Sequence, residues 1–398
     1  MTSKIKTDIT VIGGGHAGLT QTLLFARAGI ETYCIEPNPM PKDDRTTAIS
    51  YGSMKLFEQA GIWNDLLPFA CPIKDIKILD GSSPILLDFD AKEISDKIDA
   101  EAFGWILSNN VIRKVLIDHL SKQKSAHIIS GEKVVQFDKN KDSVSVHLTN
   151  EQILQTKLVI GADGRQSFTR EYMQVGAYQW SYNQEAVICI FQHENSHSNI
   201  AIEHFLPNGP FAVLPMLDNE QGQHQSALVW TQDSHQKPSM MDYSEDVFKI
   251  ALQEQLPEMY GNVISVEKRQ KYPLGLIHAY DYAIERFALI ADAAHGIHPI
   301  AGQGLNLGLR DIGSLTEIIT TAYENDQDIG QLDVLKQYDS SRKIDNKSMA
   351  ATTDILNHLF SNNSKSIRSI RMLGMKVINK IKPAKRFLMS QAAGVKSN

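Results

Sequence analysis

Over the first 36 residues the hydrophobic positions fall into three blocks punctuated by glycine. Asp8-Ile-Thr-Val-Ile-Gly13 is an apolar run of strand length. Ala17 to Ala28 has the wider spacing of a helix, which Gly29 stops, and Glu31-Thr-Tyr-Cys-Ile-Glu36 is a second strand. The order predicts a parallel βαβ unit. Asp75–Asp80 and Ile85–Asp90 read as strands, Asn109 to Gln123 as a helix, and Val134–Phe137 with Val144–Leu148 as a hairpin. Thr156-Lys-Leu-Val-Ile-Gly161 is another buried strand. A β-rich block follows (Ala186–Phe191, Ala201–Leu206, Phe211–Leu217, Ser226–Thr231), interrupted by a helix from Ser244 to Gln255. Phe287–Ala291 is one more strand, then a Gly-rich turn and a helix from Gly304 to Tyr323. Leu332 to Met389 reads as helical.

Composition narrows the classes. A chain of 398 residues with 42% hydrophobic content is too long for one small core and suggests two or three domains. A formal charge of −6 argues against a general nucleic-acid binder. Cys34, Cys71 and Cys189 are far apart with no C-x-x-C pair, which excludes a disulfide framework or zinc ribbon and suits a reducing, cytoplasmic compartment. No signal peptide and no membrane-spanning run is expected. The charge is uneven. From Ile355 to Asn398 there are nine Lys and Arg and no Asp or Glu, so the rest of the chain carries −15 of the total −6.

Chemistry concentrates in the turns. Gly13-Gly-Gly15-His-Ala-Gly18 is a G-x-G-x-x-G between strand and helix. The first glycine permits the tight turn, the second lets a pyrophosphate approach the backbone, and the third lets helix and strand pack closely. Glu36, 23 residues after Gly13, has the position of a carboxylate that grips ribose hydroxyls. Thr22 departs from the small residue usual on that helix face. Asp44-Arg45-Thr46, Asp163-Gly164-Arg165 and Asp292…His295-Gly-Ile-His298-Pro299-Ile-Ala-Gly302-Gln303-Gly304-Leu305-Asn306 are three further clusters. The last sets a carboxylate at a strand end and glycines at a helix N-terminus, where N–H groups suit a ring system that becomes anionic.

On these motifs the chain resembles the flavoprotein aromatic hydroxylases of the p-hydroxybenzoate hydroxylase fold, and among them the ubiquinone-biosynthesis hydroxylases. Gly209-Pro210 to Pro215, Asp345-Asn346 to Phe360 and Arg371-Met-Leu-Gly374 to Gly394 carry the second likeness. The resemblance implies an α/β fold: a Rossmann-like FAD-binding domain over 1–70, 105–175 and 276–345, an inserted β-sheet substrate domain over 71–104 and 176–275, and a helical basic tail over 346–398. It implies that Gly13, Gly15, Gly18 and Glu36 hold the ADP half of FAD and that Arg45 and Arg113 flank it. Asp163 and Gly164 serve flavin or nicotinamide, and Asp292 grips the ribityl chain. Gly302, Gln303, Gly304, Leu305 and Asn306 border the isoalloxazine, with Pro299 and Gln303 lining its reactive face. Ala291 stands where the family has Gly, and its methyl is expected to crowd the ribityl chain. NAD(P)H is the implied transient electron donor and O₂ the co-substrate, with one oxygen atom passing to an electron-rich phenol; no side-chain nucleophile is required.

The apolar run Phe211–Leu217 lies where a benzoate-binding relative would place cationic groups, which favours a lipophilic aromatic substrate without a carboxylate. The expected activity is hydroxylation of a polyprenylated phenol toward ubiquinone, at the inner face of the cytoplasmic membrane. Two alternatives stand beside it: a hydroxylase of a small soluble aromatic, and a non-catalytic flavin-binding subunit of a ubiquinone-biosynthesis complex. His193-Glu-Asn-Ser-His197 spells H-E-x-x-H but follows a β-like run, so a solvent loop is expected and no metal. His295 and His298 read as structural more readily than as proton relays. The basic tail either lies on an anionic bilayer or packs on protein.

Overall fold

Five strands run parallel in the spatial order Ala126–Ser130, Thr32–Glu36, Lys4–Ile12, Ile153–Gly161 and Phe287–Leu289. The computed structural model describes residues 4–38, 43–81, 87–99, 101–297, 302–360, 378–379 and 381–395. Their apolar runs follow from burial on both faces, as a parallel sheet requires. Helix His16–Arg27 packs against helices Asn109–Leu120 and Gln303–Glu324. The hairpin Val134–Lys139 and Val144–Leu148 adds antiparallel to Ile153–Gly161. The first strand begins at Lys4, earlier than the apolar run suggests, because its polar half pairs with Ile153–Thr156 near solvent.

A second, nine-stranded sheet has the order His295–Gly296, Gln270–Ala279, Ala177–His193, Gln225–Asp233, Gly209–Pro215, Ile200–Leu206, Asp75–Asp80 and Leu87–Asp90, with Val263–Val266 beside Ala177–His193. One face packs on helix Glu245–Gln255 through Val187, Phe191, Phe211, Leu228, Phe248 and Leu252. The other turns toward the parallel sheet. Two details differ from the sequence-based expectation. Strand Gln270–Ala279 runs past residue 275, the expected end of the inserted domain, and His295–Gly296, expected in a turn, pairs with it at Ile277 and His278. Cys71–Ile73 belongs to a small third sheet with Thr46–Ser50 and Gly104–Ser108.

The long helix Leu332–Phe360 and the helix Lys382–Ala393 make up most of the described tail. The second buries Met389, Ser390 and Ala393, and Lys385 and Arg386 pair with Glu93 and Asp96. Lys365, Arg368, Arg371, Lys376, Lys380 and Lys396 lie outside the described residues. No described helix is long and apolar enough to cross a membrane.

Thr22 is fully buried and hides its hydroxyl by donating to Gly18 O at 2.7 Å, the back-bond that lets a helical threonine face a sheet. The three cysteines are buried, and burial pushes each thiol up to about 12, so none is a reactive thiolate.

Candidate active site

Four segments converge because each leaves the carboxyl end of a neighbouring parallel strand: Gly13–Gly18 after Ile12, Glu36 at the end of its strand, Ala162–Arg165 after Gly161, and Ala291–Asp292 after Leu289. That edge is where open α/β sheets bind ligands. Gly13 takes φ +104°, and a Cβ there would stand 2.5 Å from Ala162 O. A Cβ on Gly18 would lie 1.8 Å from Gly13 O, whereas one on Gly15 would meet nothing within 4 Å. The first and third glycines thus close the turn, and the second leaves its backbone open.

Glu36 accepts one hydrogen bond on each carboxylate oxygen, from Gly14 N and Asn38 N, both at 2.8 Å. It is buried yet lines the cavity. Arg113 donates to Gly14 O. Beside it the His16 ring donates from Nε2 to Asn109 O at 2.9 Å, and burial lowers its pKa.

Arg45 grips Asp43 through two hydrogen bonds of 2.6 Å and lies 5.0 Å from the centroid of the Tyr272 ring. Asn109 donates to the same carboxylate at 2.8 Å. Burial opposes ionisation, but Arg45 and Asn109 outweigh it and hold Asp43 at about 2.

At the other end, Asp292 is half exposed, with Arg165 Nε 3.7 Å from its carboxylate. Gly302 takes φ +61° and opens the helix Gln303–Glu324 without a side-chain cap, so the first N–H groups of a 22-residue helix remain for a ligand. Asn306 donates to Ala48 O at 2.8 Å and Gly302 O at 3.0 Å and accepts from Ser50 N at 3.0 Å. It ties the strand Thr46–Ser50, which follows Arg45, to this helix.

Ala291 takes φ +51°, a left-handed conformation that costs a non-glycine residue roughly 1–2 kcal/mol. Its methyl points at Gly308, where an added Cβ would lie only 2.7 Å away. The methyl thus packs against the helix, which supplies a glycine to receive it, while Ala291 also lines the cavity.

Asp311, the ninth residue of that helix, is not among the residues the sequence singles out. Fully buried, it accepts from Ala291 N at 3.1 Å, His295 Nε2 at 2.5 Å, Arg342 Nε at 2.9 Å and Asn346 Nδ2 at 3.0 Å. Burial opposes its charge, yet His295, Arg342 and Asn346 hold its pKa below the usual range. His295 is thereby a structural partner, as the sequence favoured. Asp345-Asn346 was visible as a motif, but nothing in the spacing linked it to a position 35 residues earlier.

Asp163 departs from its expected place. Its carboxylate accepts from Ser167 Oγ at 2.5 Å and from Thr169 N and Oγ1 at 2.9 and 3.0 Å, fastening the short helix Phe168–Tyr172. Its neighbours Ala162, Gly164 and Arg165 line the cavity, and it does not. Pro299 and His298 lie outside the described residues. His193 ends a strand, donates from Nδ1 to Asn195 O at 2.7 Å and meets Ser226 Oγ at 2.9 Å through Nε2. His197 donates to Met216 O at 2.8 Å, and no metal-binding group of three side chains occurs among the described residues.

One cavity of about 1520 Å³ joins these parts. A single small-molecule site takes roughly 300–1,000 Å³, so there is room for a dinucleotide and a second ligand. One end holds Gly15, Glu36, Arg45, Arg113, Gly164, Asp292 and Gly302–Asn306. The other is walled by the inward face of the nine-stranded sheet, with Ile78, Ile188, Ala201, Ala212, Leu214 and Val229, and by Phe387 and Leu388 of the tail helix.

The first end fits FAD on three counts. A Cβ on Gly15, Gly164 or Gly304 would meet nothing within 4 Å, so the backbone is bare where a cofactor would press. Gln303 Oε1 is buried with no hydrogen-bond partner among the described residues, an acceptor for a ring N–H. The carboxylates at opposite ends, Glu36 and Asp292, suit the hydroxyls of ribose and ribityl.

Residues 6–352 match the family model described as FAD binding domain. The chain is 34% identical over 393 residues to the ubiquinone hydroxylase UbiL of Rhodospirillum rubrum, covering 97% of this chain and 89% of that one. It is 28% identical over 397 residues to the 3-demethoxyubiquinol 3-hydroxylase of Escherichia coli, covering 98% and 99%. Among solved structures, p-nitrophenol 4-monooxygenase PnpA of Pseudomonas putida superposes over the whole of both chains with a TM-score of 0.83 at 19% identity, a likeness of fold.

Proposed function

The chain belongs to the FAD binding domain family, among the ubiquinone-biosynthesis hydroxylases, and from that premise we propose that its substrate is an uncharged phenol bearing a long polyprenyl tail. It is an FAD-dependent monooxygenase. The observation that carries the substrate reading is the continuity of the cavity: the flavin end opens directly onto an apolar sheet wall.

Gly13, Gly15, Gly18 and Glu36 would hold the ADP half of FAD, with Arg113 and Arg45 beside it. Asp292 would hold the ribityl hydroxyls, and Gly302, Gln303, Gly304, Leu305 and Asn306 the ring. Bound FAD supplies the chemistry, taking a hydride from NAD(P)H and activating O₂ so that one oxygen atom passes to the phenol. The chain supplies placement. The N-terminus of Gln303–Glu324 favours negative charge on the reduced ring. Small residues at Ala186, Ala201, Ala212 and Ala227 leave space over the sheet for an aromatic ring and its tail. Phe387 and Leu388 cover part of that side.

A chain of isoprene units buried here is worth about 0.8 kcal/mol per CH₂-sized group removed from water. That gain is lost to a small polar aromatic, which is why the lipophilic substrate is preferred. The departure from Gly at Ala291 does not by itself favour a non-catalytic subunit, because its methyl packs against Gly308.

The reading extends to the inner surface of the cytoplasmic membrane and to a biosynthetic complex as its setting. Ile381 and Phe387, about half exposed, and Lys382 support contact with a bilayer. Flotation with anionic vesicles tests this, and protein that stays at the bottom of the gradient at low salt overturns it. The activity is tested by expressing the chain in a strain deleted for a ubiquinone ring hydroxylase and profiling its quinone intermediates. The deleted step is expected to resume. An unchanged accumulation in strains lacking each ring hydroxylase overturns the substrate reading.

A further inference from the structure

Strand Ile200–Leu206 contributes Ala201, Glu203 and Phe205 to the cavity, while Ile202, which also borders it, packs into the core behind helix Glu245–Gln255. Across the register Glu203 sits between Ile78 and Ala212, both apolar and both cavity-lining. A carboxyl group thus stands in an aliphatic wall. Its Oε1 is buried and has no hydrogen-bond partner among the described residues. Burial alone pushes the carboxyl up to about 7. Leaving such a group unpaired is costly, and a leucine there would be the more stable choice for the fold alone. A polar group placed singly in an apolar pocket fixes the orientation of what binds.

We propose that Glu203 recognises the ring hydroxyl of the substrate, accepting its hydrogen bond, and that it discriminates against rings bearing a carboxylate. The assignment rests on the phenol reading above and names the group that selects among such phenols. In the bound state the substrate O–H satisfies the orphaned oxygen, and the tail runs along the aliphatic wall. A carboxylated ring would set a second negative charge against the ionised form of Glu203 in a low-dielectric site. The hydrogen bond would also fix which ring carbon faces the flavin end of the cavity.

The test uses FAD-loaded full-length protein and three ligands: 2-farnesylphenol, its methyl ether, and 3-farnesyl-4-hydroxybenzoate. Binding is followed by flavin fluorescence, and coupling by product formed per NADPH consumed. The original protein is expected to prefer the phenol to the ether by about tenfold or more. Glu203→Leu should lose that preference with affinity for the ether unchanged, and should divert NADPH oxidation to hydrogen peroxide. Glu203→Gln should keep part of the preference and bind the carboxylated ring more tightly than the original protein does. Both variants should retain FAD and melt no lower, because Leu removes the unpaired buried polar group and Gln removes its ionisation. Phenol-to-ether ratios equal in all three proteins would overturn the role of Glu203 and leave the phenol reading intact. Failure of the original protein to bind any of the three would overturn both.

Discussion

Ala291 and Gly308 are matched across the flavin-side turn: the methyl of one occupies the space in which a Cβ of the other would stand, at 2.7 Å. The alanine holds a left-handed φ of +51°, so the pair stores strain that the helix accommodates without yielding room. Gly308→Ala is expected to destabilise by about 1–3 kcal/mol through overpacking. Ala291→Gly should stabilise by about 1 kcal/mol, and the double variant should recover most of the loss. Thermal melts of the four proteins in a double-mutant cycle check this, and strictly additive effects would refute the contact.

Asp292→Ala should reduce FAD retention at least about tenfold, the scale of losing one charge-assisted hydrogen bond. Glu36→Ala should do so as well, through the other end of the nucleotide. The ratio of flavin to protein absorbance after gel filtration reads both. Unaltered flavin content in Asp292→Ala would remove that carboxylate from the site.

Asp311→Asn leaves Arg342 without its buried counter-charge and should cost about 3–5 kcal/mol. Its sign with pH follows from the lowered native pKa. The contribution is fully present above the unfolded carboxyl value of about 3.9 and is lost as pH falls through the lower native value. Urea unfolding at pH 7 and at successively lower pH should show the gap between original protein and variant narrowing toward acid. A constant gap would contradict the ionised carboxylate.

The tail helix separates burial from charge. Met389 is fully buried, so Met389→Ala should cost about 2–5 kcal/mol. Lys385 and Arg386 pair with Glu93 and Asp96 near the surface, and alanine at either should cost under about 1 kcal/mol. Loosening this helix uncovers the cavity beside Phe387 and Leu388, so Met389→Ala should also raise hydrogen peroxide per NADPH consumed. Chemical denaturation and a peroxide assay measure the two effects.

Local chemistry was written plainly in the chain. Gly13, Gly15, Gly18 and Glu36 announce a strand–turn–helix with a terminal acid because the turn itself demands the positive φ of Gly13 and the close approach of Gly18 to Gly13 O, although the contact of Gly13 with Ala162 is not legible in the sequence. Asp163 is ambiguous for a related reason: its position after a strand fits a ligand contact as well as a helix cap, and its hydrogen bonds to Ser167 and Thr169 are visible only in space.

The alternation of apolar and polar positions, together with the spacing of the glycines, determined the parallel sheet, the dinucleotide turn and the β-rich insertion, since these are set by short-range sterics and by which faces must leave water. Tertiary structure alone decided that Asp311 meets Arg342, that the Ala291 methyl turns to Gly308, and that Glu203 stands unpaired in an apolar wall. Those outcomes depend on packing between segments tens to hundreds of residues apart, and the energy of a buried charge or a misplaced methyl is defined only once its neighbours have closed around it.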